Sequence, residues 1–62
     1  MPMLKQLIQS KGIKQKWLAQ KMGVSEVSIS NWVSGKTTPK DEHRKKLSEI
    51  LEIDLPTLSN YL

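Results

Sequence analysis

Two helical segments are closely joined near the middle of the chain, and the first exposed residues of the second segment are polar. An apolar helical segment that starts near Gln15 runs into Gly23, and a second helical segment follows at once and continues through Trp32. Two helices joined by so short a turn cross at a steep angle, which allows one of them to project from the surface and enter a DNA major groove. The alternative is an ordinary helical hairpin inside a small bundle.

The other reactive side chains form no recognisable catalytic or metal-binding pattern. His43 is the only histidine and the chain has no cysteine, so no zinc site is expected. Asp41 and Glu42 are adjacent and point in different directions, which favours a helix cap over a catalytic carboxylate pair. No serine stands in a nucleophile motif, and no phosphate-binding glycine loop is present. We therefore predict no enzymatic activity, no cofactor and no metal.

The length and composition fit one small domain over residues 1–62. Hydrophobic residues make up 37% of the chain, and no apolar run approaches the ~20 residues of a membrane span. The N-terminus lacks the apolar stretch of a signal peptide. The prediction is a soluble, cytoplasmic protein.

Positive charge is concentrated in the N-terminal part of the chain. Ten Lys and Arg residues against six Asp and Glu residues give a net charge of +4. Residues 1–25 contain no acid, and five lysines lie there: Lys5, Lys11, Lys14, Lys16 and Lys21. A basic half suits a polyanionic partner because each neutralised phosphate releases counterions. A lysine surface that is merely solvated is the alternative.

Apolar spacing and capping residues predict an all-α fold, a compact bundle of five short helices. The first contains Met3, Leu4, Leu7 and Ile8 and ends at Gly12; the second covers about 14–22 and the third about 25–34, with Ser25 as its cap. For the fourth we expect Thr38 at the N-cap, Pro39 at the first helical position and Asp41 at the third, with an end near Glu52. Asp54 is expected to cap a short fifth helix.

The central spacing resembles that of the lambdoid phage repressor and Cro (XRE-type) helix-turn-helix family. The positions that carry the resemblance are Gln15, Ala19, Gly23, Val24, Ile29 and Trp32. The order of five helices is also similar, so the resemblance covers essentially the whole chain. It implies a lambda-repressor-like DNA-binding domain. A small residue at 19 lets the helix backbones approach, and Gly23 makes the turn.

The resemblance implies that the third helix reads bases. Its predicted base-reading residues are Glu26, Val27, Ser30 and Asn31. Asn31 can pair with adenine, Glu26 can accept a hydrogen bond from cytosine, and Val27 can pack on a thymine methyl group. Ser30 can bond to either kind of base. A solvated helix face is the alternative, and Glu26 can instead stabilise the helix N-terminus.

Phosphate contacts are expected on both sides of that helix. The residues predicted to make them are Gln15, Ser25, Lys36, Thr37, Thr38 and Lys40. For any single lysine, a solvated charge is the alternative.

The resemblance also implies a homodimer on DNA, formed by the last helices. The predicted contacts are Ile53, Leu55, Leu58 and Tyr61. These apolar residues can alternatively close the core of the monomer. Glu52 departs from the family pattern, in which a glycine commonly ends the fourth helix.

Two tryptophans have different expected roles. Trp32 occupies a buried position of the motif and is predicted to be in the core. Trp17 is predicted to pack near Ile13, the alternative being partial exposure and binding of a partner.

The leading functional hypothesis is a sequence-specific DNA-binding transcriptional regulator. It would resemble a Cro-like or repressor-type protein of a phage or mobile element that binds a two-fold symmetric operator, with no small-molecule ligand and no membrane contact. The second hypothesis is a protein-binding module of the same fold, such as an antitoxin, co-regulator or bridging factor. The salt dependence of binding to duplex DNA separates the two.

Overall fold

The computed structural model describes residues 4–62, which form five α-helices. In chain order they are α1 (Leu4–Ser10), α2 (Gln15–Met22), α3 (Glu26–Ser34), α4 (Asp41–Leu51) and α5 (Leu55–Ser59). The all-α prediction is confirmed, and so is the number of helices in the described part of the chain. Met3, predicted to belong to the first helix, lies outside the described residues. No helix within residues 4–62 has the length and apolarity needed to cross a membrane.

The core consists of one apolar side-chain cluster to which every helix contributes. Its members are Leu4, Leu7, Ile8, Leu18, Ala19, Met22, Ile29, Trp32, Val33, Leu47, Leu51 and Leu58. Helix α3 packs against both α1 and α2, while α4 packs against α2 and α5. Burial of one large aliphatic side chain stabilises a fold by about 1.5–3 kcal/mol. In so small a domain, few such residues can be lost.

Four helices end with the same backbone arrangement, in which a residue in the left-handed conformation closes the last turn. The next amide then donates back across the turn, as in Ile13 N–H to the Ile8 carbonyl at 2.9 Å and Val24 N–H to the Ala19 carbonyl at 3.0 Å. This is the Schellman motif, which satisfies carbonyl groups that the helix leaves unpaired. The left-handed residues are Gly12, Gly23, Gly35 and Glu52.

Glu52 is the one residue other than glycine with a positive φ in the described chain, at 58°. It ends α4 at the position where the resemblance implies glycine, and the turn forms nonetheless: Ile53 N–H donates to the Ser48 carbonyl at 3.1 Å. The Ser48 hydroxyl reinforces the turn by donating to the Ile53 carbonyl at 2.5 Å. The departure from the family pattern therefore leaves the turn geometry in place.

The predicted start of α4 is wrong by two residues. Neither Thr38 nor Pro39 belongs to the helix; α4 begins at Asp41, with Lys40 as an N-cap whose side chain makes no capping hydrogen bond. The Pro39 ring is buried, so packing holds it in the extended segment before the helix. Asp41 is the first helical residue rather than the third, and its carboxylate accepts a hydrogen bond from the guanidinium of Arg44. The connection between α3 and α4 is longer than predicted as a result.

Replacing Glu52 by glycine is expected to stabilise the fold. The left-handed conformation costs a non-glycine residue about 1–2 kcal/mol, and glycine avoids this strain. Glycine loses about 0.5–1 kcal/mol more chain entropy on folding, which offsets part of the gain. E52G should therefore raise the free energy of unfolding by about 0.5–1 kcal/mol. Urea denaturation followed by circular dichroism measures this difference. The matched control is E49G, an exposed position inside α4, which should lower the free energy of unfolding by about 1 kcal/mol. A destabilised E52G variant would contradict the assignment of the left-handed cap.

Candidate nucleic-acid interface

Helices α2 and α3 are joined by three residues, Gly23, Val24 and Ser25. Gly23 adopts φ 70° and ψ 31°, a conformation that glycine enters without the strain a β-carbon would cause. Ala19 is buried, and Val24 packs partly buried against the core. The predicted roles of Ala19 as a small buried residue and of Gly23 as the left-handed turn residue are confirmed.

Helix α3 has one buried face and one exposed face. Ile29, Trp32 and Val33 are buried. On the other side, Glu26, Val27 and Ser30 are exposed and Asn31 is half-buried. These four positions span an arc of about 140° around the helix, since each residue advances by about 100°. The structure therefore brings all four predicted base-reading residues onto one accessible face.

Val27 is the apolar residue of this exposed face. Its side chain is 68% exposed, although it is β-branched and apolar. An isolated exposed valine is common on protein surfaces. Here it lies between polar residues on a helix whose opposite face is fully packed, so that a ligand approaching this face contacts Val27 together with its polar neighbours.

The N-terminus of α3 is held by the predicted cap. The Ser25 Oγ accepts a hydrogen bond from Ser28 N–H at 3.2 Å, and its hydroxyl donates to the Ser28 Oγ at 3.1 Å. Glu26 lies in the first turn, where a carboxylate is stabilised by the helix dipole. The Ser25 hydroxyl is thus engaged within the chain, and a phosphate contact at this position would rest on the backbone or on rotation of that hydroxyl.

Asn31 connects the exposed face of α3 to the loop that follows. Its main-chain carbonyl accepts hydrogen bonds from Lys36 N–H at 2.8 Å and Thr37 N–H at 3.3 Å. The Ser34 hydroxyl donates to the same carbonyl at 3.2 Å. One residue therefore supplies a side chain to the helix face and a main-chain anchor to the loop. Sequence analysis did not identify this second role, although Gly35 signals the turn that creates it.

Apart from Ser25, the predicted phosphate-binding residues occupy two places. Gln15 is the first residue of α2 and is half-buried. The loop and the N-cap of α4 present four exposed residues: Lys36, Thr37, Thr38 and Lys40. Within residues 4–62 the single ion pair is Arg44–Asp41, so no acidic side chain neutralises the lysines of this loop.

Trp32 packs against His43 of α4. It is only 6% exposed, which confirms the core prediction. The His43 ring lies 5.2 Å from the Trp32 ring, centroid to centroid, with a tilt of 41° between the planes. Tilted aromatic pairs at this distance attract each other beyond the burial of their surface. His43 is half-buried in the first turn of α4, and it supports the helix that carries the exposed face.

The prediction for the last helices needs one correction. Leu58 was predicted to contact a second copy, but it is 0% exposed and belongs to the core of the monomer. Ile53 and Tyr61 are half-buried and pack against that core. Leu55, at 39% exposed, is the predicted dimer residue that presents the most free surface. Leu58 is the buried residue of α5, and it joins Leu47 and Leu51 of α4 in the core.

Trp17 is more exposed than predicted. It lies beside Ile13, as expected, but 43% of its surface is open to solvent. The Lys21 ammonium group lies 5.6 Å from the centroid of the Trp17 ring, a cation–π arrangement.

Comparison with known proteins agrees with this geometry. Residues 4–58 match the model of a family described as helix-turn-helix. Because the match covers most of the chain, the chain belongs to this XRE-type, lambda repressor- and Cro-like family, whose members are DNA-binding regulators. No curated protein and no solved structure gives a significant match.

Removing the cap of α3 is expected to loosen the end of the helix that carries Glu26 and Val27. S25A should lower the free energy of unfolding by about 1 kcal/mol, because an alanine cannot accept the Ser28 N–H. The control is S34A at the other end of α3, where the exposed hydroxyl bonds to a carbonyl already well satisfied, and the change should stay within about 0.5 kcal/mol. Hydrogen exchange of the Ser28 amide reports the local effect. Equal losses in both variants would speak against the cap.

Proposed function

We propose that this chain is a sequence-specific transcriptional regulator of the Cro or repressor type that inserts α3 into the major groove of an operator. The single observation that carries the proposal is the exposed face of Glu26, Val27, Ser30 and Asn31, set on a helix whose other side is packed into the core. Family membership supports DNA as the partner. Residues 1–62 are proposed to act as one DNA-binding domain.

The chemistry of the face suits mixed base recognition. The Asn31 amide can make two hydrogen bonds with an adenine edge, and the Val27 methyl groups can pack on a thymine methyl. Ser30 can bond to either kind of base. Glu26 can accept a hydrogen bond from a cytosine amino group. At a sequence that offers no such donor, its carboxylate is repelled by the phosphates, which disfavours that sequence. Each good contact discriminates between bases by roughly 1–3 kcal/mol.

The loop after α3 is proposed to follow the phosphate backbone. Lys36, Thr37, Thr38 and Lys40 are all exposed, and the Asn31 carbonyl fixes the start of this loop relative to the recognition face. Gln15 and the first amides of α2 are proposed to hold a further phosphate. The backbone near Ser25 is proposed to hold another. These contacts set the register of α3 in the groove without reading sequence.

Two copies are proposed to bind a two-fold symmetric operator. One module of this size buries only ~600–1,000 Å² on DNA, which seldom gives tight specific binding. Leu55 and the neighbouring Pro56 are exposed, and Ile53 and Tyr61 lie at the edge of the core, so this end of the molecule is the proposed contact between copies. Pairing is expected to be assisted by DNA.

Selection of bound sequences from random duplexes with the purified chain tests the proposal directly. A two-fold symmetric consensus with half-sites about one helical turn apart is the expected result. Enrichment of no sequence, or binding that does not weaken steeply with rising salt, would contradict it.

Two single substitutions should affect binding to the selected operator differently. N31A should relax the preference at one base pair by roughly 1–3 kcal/mol, while K36A should weaken binding to all sequences about equally and reduce the salt slope by about one. Fluorescence anisotropy with the operator and its single-base variants measures both effects.

The matched control is K5A, an exposed lysine of α1 outside the proposed contacts. It should leave the affinity and its salt dependence nearly unchanged. If N31A and K36A had the same effect on every duplex, the division between base-reading and phosphate-binding residues would be wrong.

A further inference from the structure

The face of α2 opposite the core carries a large aromatic ring that the fold does not need. Leu18, Ala19 and Met22 form the buried side of α2, whereas Trp17 points outward and keeps 43% of its surface exposed. Tryptophan is enriched where proteins contact one another, because it supplies a large apolar area at little cost in side-chain entropy. A polar residue would satisfy the same helical position.

Trp17 forms one wall of a groove where α1 meets α2. Gly12, Ile13 and Lys14 line the rest of this groove, which has a volume of about 320 Å³ and is open to solvent. No atom lies within 4 Å of the place where a β-carbon on Gly12 would stand, so the groove is unobstructed on that side. Its apolar lining, from Ile13 and Trp17, has room for an apolar side chain from another molecule.

Two lysines lie at this groove. Lys14 lines it, and the Lys21 ammonium lies 5.6 Å from the Trp17 ring centroid. Lys11 and Lys16 are also exposed nearby in the sequence, and residues 1–25 contain no acid. None of these lysines forms an ion pair within residues 4–62. We use the name Trp17 surface for Gly12, Ile13, Lys14, Trp17 and Lys21.

We propose that the Trp17 surface docks an acidic segment of a partner protein, with one apolar side chain of that segment in the groove. Carboxylates on either side of the apolar residue would meet Lys14 and Lys21, and the inserted side chain would cover the exposed indole. Charge complementarity selects an acidic partner, and the apolar groove selects a polypeptide, since a phosphate backbone offers no apolar side chain to fill it.

The Trp17 surface faces away from the DNA contact at the start of α2, a step that rests on the proposed function. Successive helical residues advance by about 100°, so the side chains of Gln15 and Trp17 leave the helix about 200° apart. If Gln15 holds a phosphate, Trp17 points to the opposite side. This separation allows the partner segment and the operator to bind at the same time.

The two tryptophans make the test direct. The probe is a synthetic peptide rich in Glu and Asp with one central Leu, titrated into the full chain while the two indole N–H resonances are followed by NMR. The Trp17 resonance should shift and saturate, whereas that of the buried Trp32 should stay in place. A second peptide with Ala at the centre should bind more weakly, and a third with Lys in place of the acids should not bind.

Charge reversal on the groove should abolish the interaction. The double variant K14E/K21E should raise the Kd of the acidic peptide at least about tenfold. The control, K45E/K46E, makes the same change in net charge on the exposed side of α4 and should leave the Kd within about twofold. W17A should also weaken binding. An unchanged Trp32 resonance verifies the fold of each variant. If a variant does not fold, the peptide series on the original chain tests the docking proposal.

Four results would overturn the proposal. The first is equal binding of the Leu and Ala peptides, and the second is a loss of binding in K45E/K46E as large as in K14E/K21E. The third is a Trp17 resonance that shifts on adding duplex DNA alone, and the fourth is a Trp17 resonance that shifts with protein concentration alone. The third would make the surface a DNA contact and the fourth a contact between copies. Repeating the titration on the chain bound to its selected operator tests simultaneous binding. Peptide binding without any binding of duplex DNA would refute the proposed function while leaving the docking surface intact.

Discussion

The packing of α2 against α3 across the left-handed turn at Gly23 is the constraint on which the rest of this structure depends. Gly23 provides the turn, and Ile29, Trp32 and Val33 then fix the rotation of α3 about its own axis by burial. Because one side of a short helix is so completely packed, the other side has a single orientation. An exposed recognition face is therefore a consequence of core packing.

A domain of this size has few other means of holding its helices in place. The Schellman turns satisfy backbone groups at four helix ends, and Ser25 and Asp54 cap two helix starts through side chains that accept from Ser28 N–H and Thr57 N–H. The Asn31 carbonyl extends this order into the loop that carries Lys36 and Lys40. Core packing thus orients the face, and hydrogen bonds at the end of α3 tie the flanking loop to it.

Sequence analysis predicted those features that depend on local chemistry. The left-handed turn at Gly23, the caps at Ser25 and Asp54 and the burial of Trp32 follow from residue type and helical spacing, which act over a few residues. The start of α4, the burial of Leu58 and the exposure of Trp17 depend on tertiary packing. Pro39 is as suitable for a first helical turn as for a buried extended segment, and only the surrounding core decides between them. The contacts of the face with bases stay a prediction.

The most direct test of the central claim is NMR of the chain bound to its selected operator, with observation of contacts between the Val27 methyl groups and protons of the DNA. The account predicts contacts from Val27 to thymine methyl or other major-groove protons, together with shifts of the amides from 26 to 31. An α3 whose methyl groups show no contact with DNA, while the shifted amides lie in other helices, would contradict it.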